Sequence, residues 1–271
     1  MFLPRGSAAV LSVLTPIKRQ LEWLLEQQAN YLLSYPSNLA ALAEESLKQN
    51  VKLPTLREVI AMGEKLTQQQ RQLCREAWQI EIKDMYSAEE IGYIAHQSPL
   101  NDSYLVQAEH VIVEVLDANG EQCKPGEVGR VIVTTLNNFA KPLIRYAIGD
   151  YAEVGERSPC GRGLPVLNDV LGRRRNMVVL PDGSRYWPLA GYNRYSDVAS
   201  VLQYQLVQLN TEYVEVRLVV NEPLTRDQEQ RLTHVIQNAL DYPFKLRFKY
   251  YKNEIPRSGG GKFEDFISLV T

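Results

Sequence analysis

The 271-residue sequence contains few of the residues that build metal centres and disulfide frameworks. Its three cysteines, Cys74, Cys123 and Cys160, are scattered, and no two of them have metal-ligand or redox spacing. Three histidines are too few to indicate a histidine-based metal site. We therefore expect a reduced, cytoplasmic setting for the chain.

Long apolar runs and a strong charge of one sign are also absent. The sequence has no apolar run of about eighteen residues, so we expect no membrane span. Residues 1–5 have no basic region before an apolar run, so we expect no signal peptide. The net charge of −2 predicts no general attraction to nucleic acid or anionic membranes. The hydrophobic fraction of 45% is typical of a globular chain that can bury a core.

Residues up to about 86 alternate between helical and strand patterns. This order is typical of a parallel sheet with crossover helices. The predicted elements are a helix capped by Thr15 with Pro16 at its first position and apolar spacing to Leu32, a helix from Asn38 to Lys48 capped by Ser37, a strand Glu58–Met62, a helix capped by Thr67 and ending at Trp78, and a strand Ile80–Tyr86.

The remainder of the chain predicts a change of architecture. Turn signals at Asn119-Gly120 and Pro125-Gly126 indicate a small antiparallel β-subdomain over about 108–155, within a large domain of residues 1–170. Residues 171–271 predict a smaller α+β lid domain. Its predicted elements are a helix Asp197–Tyr204, a strand Val214–Leu218, a helix to Leu240 with a capping box of Thr225 and Gln228, and a strand Leu246–Tyr251.

The segment that ends at Asp150 carries the clearest chemical signal. It follows the apolar run 131–135, where Pro142 bends the chain and Gly149 supplies conformational freedom just before the acid. A carboxylate presented in this way is able to accept two hydrogen bonds from a vicinal diol such as ribose. The alternative is that Asp150 caps a turn while Arg145 pairs with a surface acid.

The run Pro142–Asp150 resembles the ribose-binding motif of adenylate-forming enzymes, in the branch of phenylacetate-CoA ligase and the capsule-biosynthesis ligases. Three further stretches resemble motifs of the same family in the same order: Tyr86–Gly92, Gly172-Arg173 and Ile255–Lys262. The resemblance extends from about Tyr31 to the C-terminus. It implies part of a large α/β domain followed by a small lid domain.

The first of these motifs implies a nucleotide and metal site. By resemblance, Tyr86 packs against adenine and Glu90 binds Mg²⁺, which takes one or two carboxylates together with phosphate oxygens. Gly63 and Glu64 would border the adenine. Glu89 departs from the family pattern, which has Ser or Thr there to contact phosphate. The alternatives are that the two adjacent glutamates begin a solvated helix and that Gly63-Glu64 is an ordinary strand-end turn.

The lid motifs imply two more contacts. Arg173 resembles the arginine that reaches the ribose, although the acidic hinge residues that usually follow are replaced by Arg174, Arg175 and Asn176. Lys262 follows three glycines and resembles the lysine that neutralises charge on the α-phosphate. The alternatives are a basic surface loop at Arg173 and a solvated lysine in a flexible loop.

The resemblance therefore implies a ligase that activates a carboxylic acid with ATP and Mg²⁺, and passes the acyl group to the thiol of coenzyme A or a carrier protein. The sequence lacks the upstream Ser/Thr/Gly-rich loop that holds the β- and γ-phosphates in this family. Relative to the family, the front of the large domain is missing from the sequence, and we expect a second chain, in a dimer or other assembly, to cover the exposed sheet. The alternative function is a non-catalytic nucleotide-binding or partner module.

Overall fold

The computed structural model describes residues 7–158, 161–188, 195, 198–257 and 262–270. Residues 1–5, Cys160, Asp197 and glycines 259–261, which carry some of the predictions above, lie outside these ranges. None of the described helices is long and apolar enough to cross a membrane. The described helices are α1 (Ile17–Gln27), α2 (Pro36–Gln49), α3 (Gln68–Trp78), α4 (Arg226–Ala239) and a 3-10 helix (Arg174–Asn176).

Nine strands form one mixed sheet. They are β1 (Tyr31–Ser34), β2 (Glu58–Met62), β3 (Ile82–Ala88), β4 (Gly92–Gln97), β5 (Tyr104–Val106), β6 (Val111–Leu116), β7 (Val128–Thr135), β8 (Tyr146–Val154) and β9 (Val166–Arg173), in the order β1-β2-β3-β4-β5-β9-β8-β7-β6. Strands β1, β2 and β3 pair in parallel, with α2 and α3 as the connections between them. The predicted parallel sheet with crossover helices is confirmed for these strands. The pairs β3–β4, β4–β5, β5–β9 and β7–β8 are antiparallel.

In the described residues of the C-terminal half there are two smaller sheets. One is the pair β10 (Val178–Val179) and β11 (Arg185–Tyr186). The other contains β12 (Val201–Gln208), β13 (Tyr213–Val220), β14 (Lys245–Tyr251) and β15 (Phe266–Ser268), in the order β14-β13-β12-β15. Strand β12 pairs with β13 antiparallel and with β15 in parallel.

The chain divides into two compact units that interleave along the sequence. The first unit contains the residues up to Val113 together with Thr134–Ile144 and Gly155–Asn168. The second contains Glu114–Val133, Arg145–Val154 and the residues from Asp169 onward. In the first unit, α1, α2 and α3 share a buried apolar core with β2 and β3. In the second, α4 packs on the four-stranded sheet, with Leu232, Ile236 and Phe244 fully buried.

Helix ends show where capping patterns decide the structure and where they do not. Thr67 caps α3 and Thr225 forms a capping box with Gln228 at α4, as predicted, and at α3 Gln70 completes a second capping box that was not predicted. The caps predicted at Thr15 and Ser37 are wrong. Helix α1 begins one residue later, after Pro16, and α2 begins at Pro36 after Tyr35, and neither has a side-chain cap.

Two segments predicted as helical are strands. Leu32 lies in β1 rather than in α1, which ends at Gln27 because Gln28 adopts a left-handed conformation. Residues 201–204, predicted as part of a helix, begin β12. This strand pairs with β13 and β15, and two of its polar side chains bond to backbone carbonyls outside that sheet: Gln205 donates to the Glu264 carbonyl and Gln208 to the Val179 carbonyl. Pairing across the sheet therefore outweighs local sequence preference.

Candidate functional site

Asp150 lies on a bulge in β8. Three residues of β8, 148–150, lie opposite Val131 alone, so the ladder to β7 is interrupted. Gly149 has a φ of 89°, a conformation that side chains other than glycine rarely adopt. The sequence pattern predicts a turn here, whereas the structure has a bulged strand. The physical effect is the same, because the bulge redirects the carboxylate out of the regular pleat.

The carboxylate of Asp150 faces the guanidinium of Arg173, at the C-terminal end of β9. Asp150 Oδ1 lies 3.7 Å from Arg173 Nε. The Asp150 side chain is 16% exposed and that of Arg173 is 53% exposed. Gly172, just before the arginine, has a φ of 92°. A largely buried acid and a half-exposed arginine thus meet at one place, where both are able to bind the hydroxyl groups of a sugar.

Arg145 supports the segment that leads to this bulge. It has a φ of 46°, and its guanidinium forms a two-pronged ion pair with Glu114 of β6. Its Nε and Nη2 atoms each lie 3.2 Å from a carboxylate oxygen of Glu114. Both side chains belong to the second unit. The pair fixes the start of β8.

The remaining candidates divide between the two units. Lys262 belongs to the second unit and is half-buried, two residues before Glu264. Tyr86 belongs to the first unit, where it is buried on β3 with 8% of its surface exposed. Glu89 and Glu90 are exposed in the turn between β3 and β4. They do not begin a helix.

Gly63 and Glu64 follow the end of β2 in the first unit. Gly63 has a φ of 76° and turns the chain. The Glu64 carboxylate then accepts hydrogen bonds from the backbone nitrogen and the hydroxyl of Ser37, at 2.9 and 3.0 Å. Sequence reasoning assigned this turn to a nucleotide border or an ordinary turn. It did not identify the contact with α2, because Ser37 and Glu64 are 27 residues apart.

Among the described residues, no group of three or more His, Cys, Asp and Glu side chains is able to hold a metal ion by itself. A Mg²⁺ ion needs no such group, because one or two carboxylates and phosphate oxygens are sufficient. The exposed Glu90 carboxylate fits that requirement.

The sequence and the fold agree with one family of known proteins. No protein-family model matches the sequence. It is 26% identical to a phenylacetate-coenzyme A ligase of Thermus thermophilus, in an alignment that covers 97% of this chain and 67% of that enzyme. It is also 23% identical to the phenylacetate-coenzyme A ligase of Pseudomonas putida, over 60% of this chain and 38% of that enzyme. Sequence similarity thus relates the chain to the adenylate-forming acyl-CoA ligase superfamily.

Solved structures of adenylate-forming ligases have the same fold. A 2-hydroxyisobutyryl-CoA ligase in the postadenylation state, in complex with an acyl-AMP, superimposes with a TM-score of 0.76 at 20% identity. That match covers 93% of this chain and 57% of the ligase. An anthranilate CoA ligase in complex with anthranoyl-AMP superimposes with a TM-score of 0.67 at 17% identity, over 91% of this chain and 50% of that enzyme. The chain therefore spans about half to two thirds of the length of these ligases.

The sequence did not indicate which residues the segment after Arg173 contacts. Arg175 and Asn176 both contact Glu264, which lies almost ninety residues further along the chain. The replacement of acidic residues by Arg175 and Asn176 is visible in the sequence. Their acidic partner is not, because nothing local to Glu264 indicates which segment it faces.

Proposed function

We propose that this chain carries the nucleotide site of an adenylate-forming ligase, which activates a carboxylic acid with ATP to an acyl-AMP and passes it to a thiol. The observation that supports this proposal most directly is the approach of Asp150 to Arg173 at 3.7 Å, in a protein of this superfamily. A ribose diol would accept from the guanidinium and donate to the carboxylate, and hydrogen bonds to charged groups of this kind are strong.

The other residues have complementary roles in this proposal. Tyr86 would offer its ring to the adenine, with Gly63 and Glu64 at the border of that site. Lys262 would place a positive charge beside the α-phosphate when the carboxylate attacks and pyrophosphate leaves. Glu90 would hold Mg²⁺, which neutralises phosphate charge when bound.

The acyl acceptor in this proposal is the thiol of coenzyme A or of a carrier protein. The curated relatives are named as coenzyme A ligases, and one structure of 2-hydroxyisobutyryl-CoA ligase, with a TM-score of 0.56 to this chain, is in complex with an acyl-AMP and CoA. The acid substrate is an aryl or aliphatic carboxylic acid. The proposed cellular setting is the cytoplasm, which is supported by Cys74 and Cys123, two buried free thiols.

Calorimetric titration with AMP tests the nucleotide site. We expect the wild-type chain to bind AMP, and we expect Asp150→Asn to weaken binding by about tenfold or more, because an amide lacks the charge that strengthens a hydrogen bond to a hydroxyl. Asp182→Asn, on an exposed turn after β10, is the matched control and should bind AMP as the wild type does. Equal affinity in all three proteins would contradict the site.

ATP–pyrophosphate exchange tests the catalytic step. The assay would use the acids that occur in the names of the relatives: phenylacetate, 2-hydroxyisobutyrate and anthranilate. Exchange that depends on the acid, and is lost in Lys262→Ala, would support adenylation.

A non-catalytic nucleotide-binding or partner module is the second candidate. It is favoured by Glu89, which places an exposed carboxylate beside Glu90 where the family has a hydroxyl group. AMP binding without acid-dependent exchange would support this candidate over a ligase.

We also propose that a second chain, another copy or a different protein, covers β1. This strand is at the edge of the described nine-stranded sheet. The side chains of Tyr31 and Leu33 lie on the same face of the strand, and these residues are 68% and 46% exposed. An edge strand with exposed apolar side chains favours association. Sedimentation velocity at micromolar concentration should detect a complex, and a monodisperse monomer would contradict this proposal.

A further inference from the structure

Glu264 connects the segment that carries Lys262 to the residues that follow Arg173. Its Oε1 atom accepts hydrogen bonds from Arg175 Nε at 3.1 Å and Nη2 at 3.0 Å, and it lies 3.3 Å from Asn176 Nδ2. The Glu264 side chain is only 20% exposed, whereas that of Arg175 is 49% exposed. A largely buried carboxylate thus receives three donors from one turn of 3-10 helix, which is a stronger arrangement than an isolated surface ion pair.

Asn176 extends this connection to the backbone on both sides. Its Nδ2 atom donates to the carbonyl of Phe266 at 2.8 Å, and its Oδ1 atom accepts from the backbone nitrogen of Arg173 at 3.1 Å. A Cβ atom at Gly172 would lie at an ordinary contact distance of 3.4 Å from Asn176 Oδ1, so the φ of 92° rather than lack of space favours glycine there. The Asn176 side chain therefore connects the backbone of Arg173, the arginine proposed to bind ribose, to strand β15.

The far side of the Glu264 segment is held by β12. Gln205 Nε2 donates to the Glu264 carbonyl at 2.9 Å, and the Leu206 nitrogen donates to the Asp265 carbonyl at 2.8 Å. Between Lys262 and Glu264, the Phe263 side chain is buried, with 9% of its surface exposed. Phe263, which packs with Val219 and Ile255, and Glu264 therefore both anchor the segment that contains Lys262.

We propose that Glu264, Arg175 and Asn176 form a clasp that holds Lys262 and Arg173 in a fixed relationship, so that the phosphate-facing lysine and the ribose-facing arginine are positioned together. The roles of the lysine and the arginine rest on the proposed function, whereas the clasp itself rests on the contacts above. Its members are positioning residues, because they act through Lys262 and Arg173. In this chain the basic Arg175 replaces an acidic hinge residue, and Glu264 supplies its counter-charge from the segment just before β15.

Hydrogen exchange in the unliganded chain tests the clasp without any need for activity. Glu264→Gln removes the charge but keeps an acceptor, Arg175→Met removes the donors, and the double variant removes both. We expect each single variant to increase amide exchange over residues 262–268 about three- to fivefold, which corresponds to roughly 1 kcal/mol. The double variant should exchange no faster than the faster single variant, because the two substitutions break the same interaction.

Lys245→Met is the matched control, since it removes the Lys245–Glu212 ion pair, 3.0 Å, at the opposite edge of the same four-stranded sheet. It should leave exchange over residues 262–268 unchanged. Unchanged exchange in the clasp variants, additive effects in the double variant, or an equal increase across the whole chain would each overturn the clasp.

A second readout separates positioning from mere support of the fold. If the wild-type chain catalyses ATP–pyrophosphate exchange, the clasp variants should lower kcat several-fold and raise the KM for ATP less than Asp150→Asn does, because they release Arg173 but leave the Asp150 carboxylate in place. Glu264→Gln should retain more activity than Glu264→Ala, since only the glutamine keeps an acceptor for Asn176. A parallel loss of stability with unchanged kcat would overturn the positioning role. Absence of nucleotide binding in the wild type would refute the proposed function. The hydrogen-exchange experiment on the unliganded chain would still test the clasp.

Discussion

The carboxylate of Glu64 serves as the missing cap of α2 by accepting from Ser37, the second residue of that helix. Helix α2 begins at Pro36, and its N-cap residue, Tyr35, makes no side-chain capping hydrogen bond. Glu64 accepts from the Ser37 nitrogen at 2.9 Å and from its hydroxyl at 3.0 Å. A negative charge at this end of a helix also interacts favourably with the helix dipole. The turn after β2 is thereby fixed to the helix that precedes β2.

Glu64→Ala should lower the free energy of unfolding by about 1–2 kcal/mol, the usual cost of losing a capping acceptor. Urea denaturation would measure this loss. Glu109→Ala, an exposed acid of the same unit, should change stability by less than about 0.5 kcal/mol. An unchanged stability of Glu64→Ala together with weaker AMP binding would instead favour direct contact between Glu64 and a nucleotide.

Gly149→Ala should weaken AMP binding and also destabilise the fold. The φ of 89° at Gly149 costs a residue with a Cβ atom about 1–2 kcal/mol, although a Cβ there would meet no other atom within 4 Å. The bulge that presents Asp150 should relax in response. Gly120→Ala is a matched control in the same unit, with a φ of 85° and equally open space. It should lose similar stability without any change in AMP affinity, as measured by calorimetry. Equal AMP affinities for the two variants would contradict the role of the bulge.

Short sequence patterns were sufficient to predict those elements that depend only on neighbouring residues. Three predictions depend on neighbours within a few residues, and all three are confirmed: the cap at Thr67, the capping box at Thr225 and the strand Glu58–Met62. The alternation of β2 and β3 with α2 and α3 likewise indicated a parallel sheet. Ordered motifs added the superfamily, which no composition or periodicity alone would have indicated.

Contacts between distant segments could not be predicted in this way. Strand β12 resembles a helix locally, and only its pairing with β13 and β15 makes it a strand. The partners of Glu64 and of Glu264 are 27 and 88–89 residues away. The same limit applies to Asp150, since the sequence indicated a turn but not the bulge opposite Val131. These are tertiary effects that no short window of sequence contains.

Cys74 should make the stability of the fold fall with rising pH. Burial raises the pKa of the Cys74 thiol to about 12 in the folded chain, against about 8.5 when unfolded. Because the folded-state pKa is the higher one, this contribution to stability is complete below about pH 8.5 and is lost above it, at about 1.4 kcal/mol per pH unit. Between pH 8 and 10 the wild type should therefore lose about 2 kcal/mol more than Cys74→Ala. Urea denaturation at several pH values would measure both slopes, and parallel slopes would contradict the prediction.

Glu89→Ser should strengthen the binding of ATP more than that of AMP. Glu89 and Glu90 are adjacent exposed carboxylates in the turn after β3, and Glu89 is the departure from the family pattern of Ser or Thr that the resemblance indicated. If phosphates bind near this turn, the Glu89 charge repels them, and triphosphate is repelled more than monophosphate. For an exposed carboxylate the gain should be modest, about three- to tenfold in ATP affinity, and it should shrink with added salt.

Glu156→Ser changes the net charge by the same amount at another exposed position and should leave ATP affinity unaltered. Calorimetric titration with ATP and AMP would distinguish the two variants, and an equal effect of both would mean that the gain comes from net charge rather than from this turn.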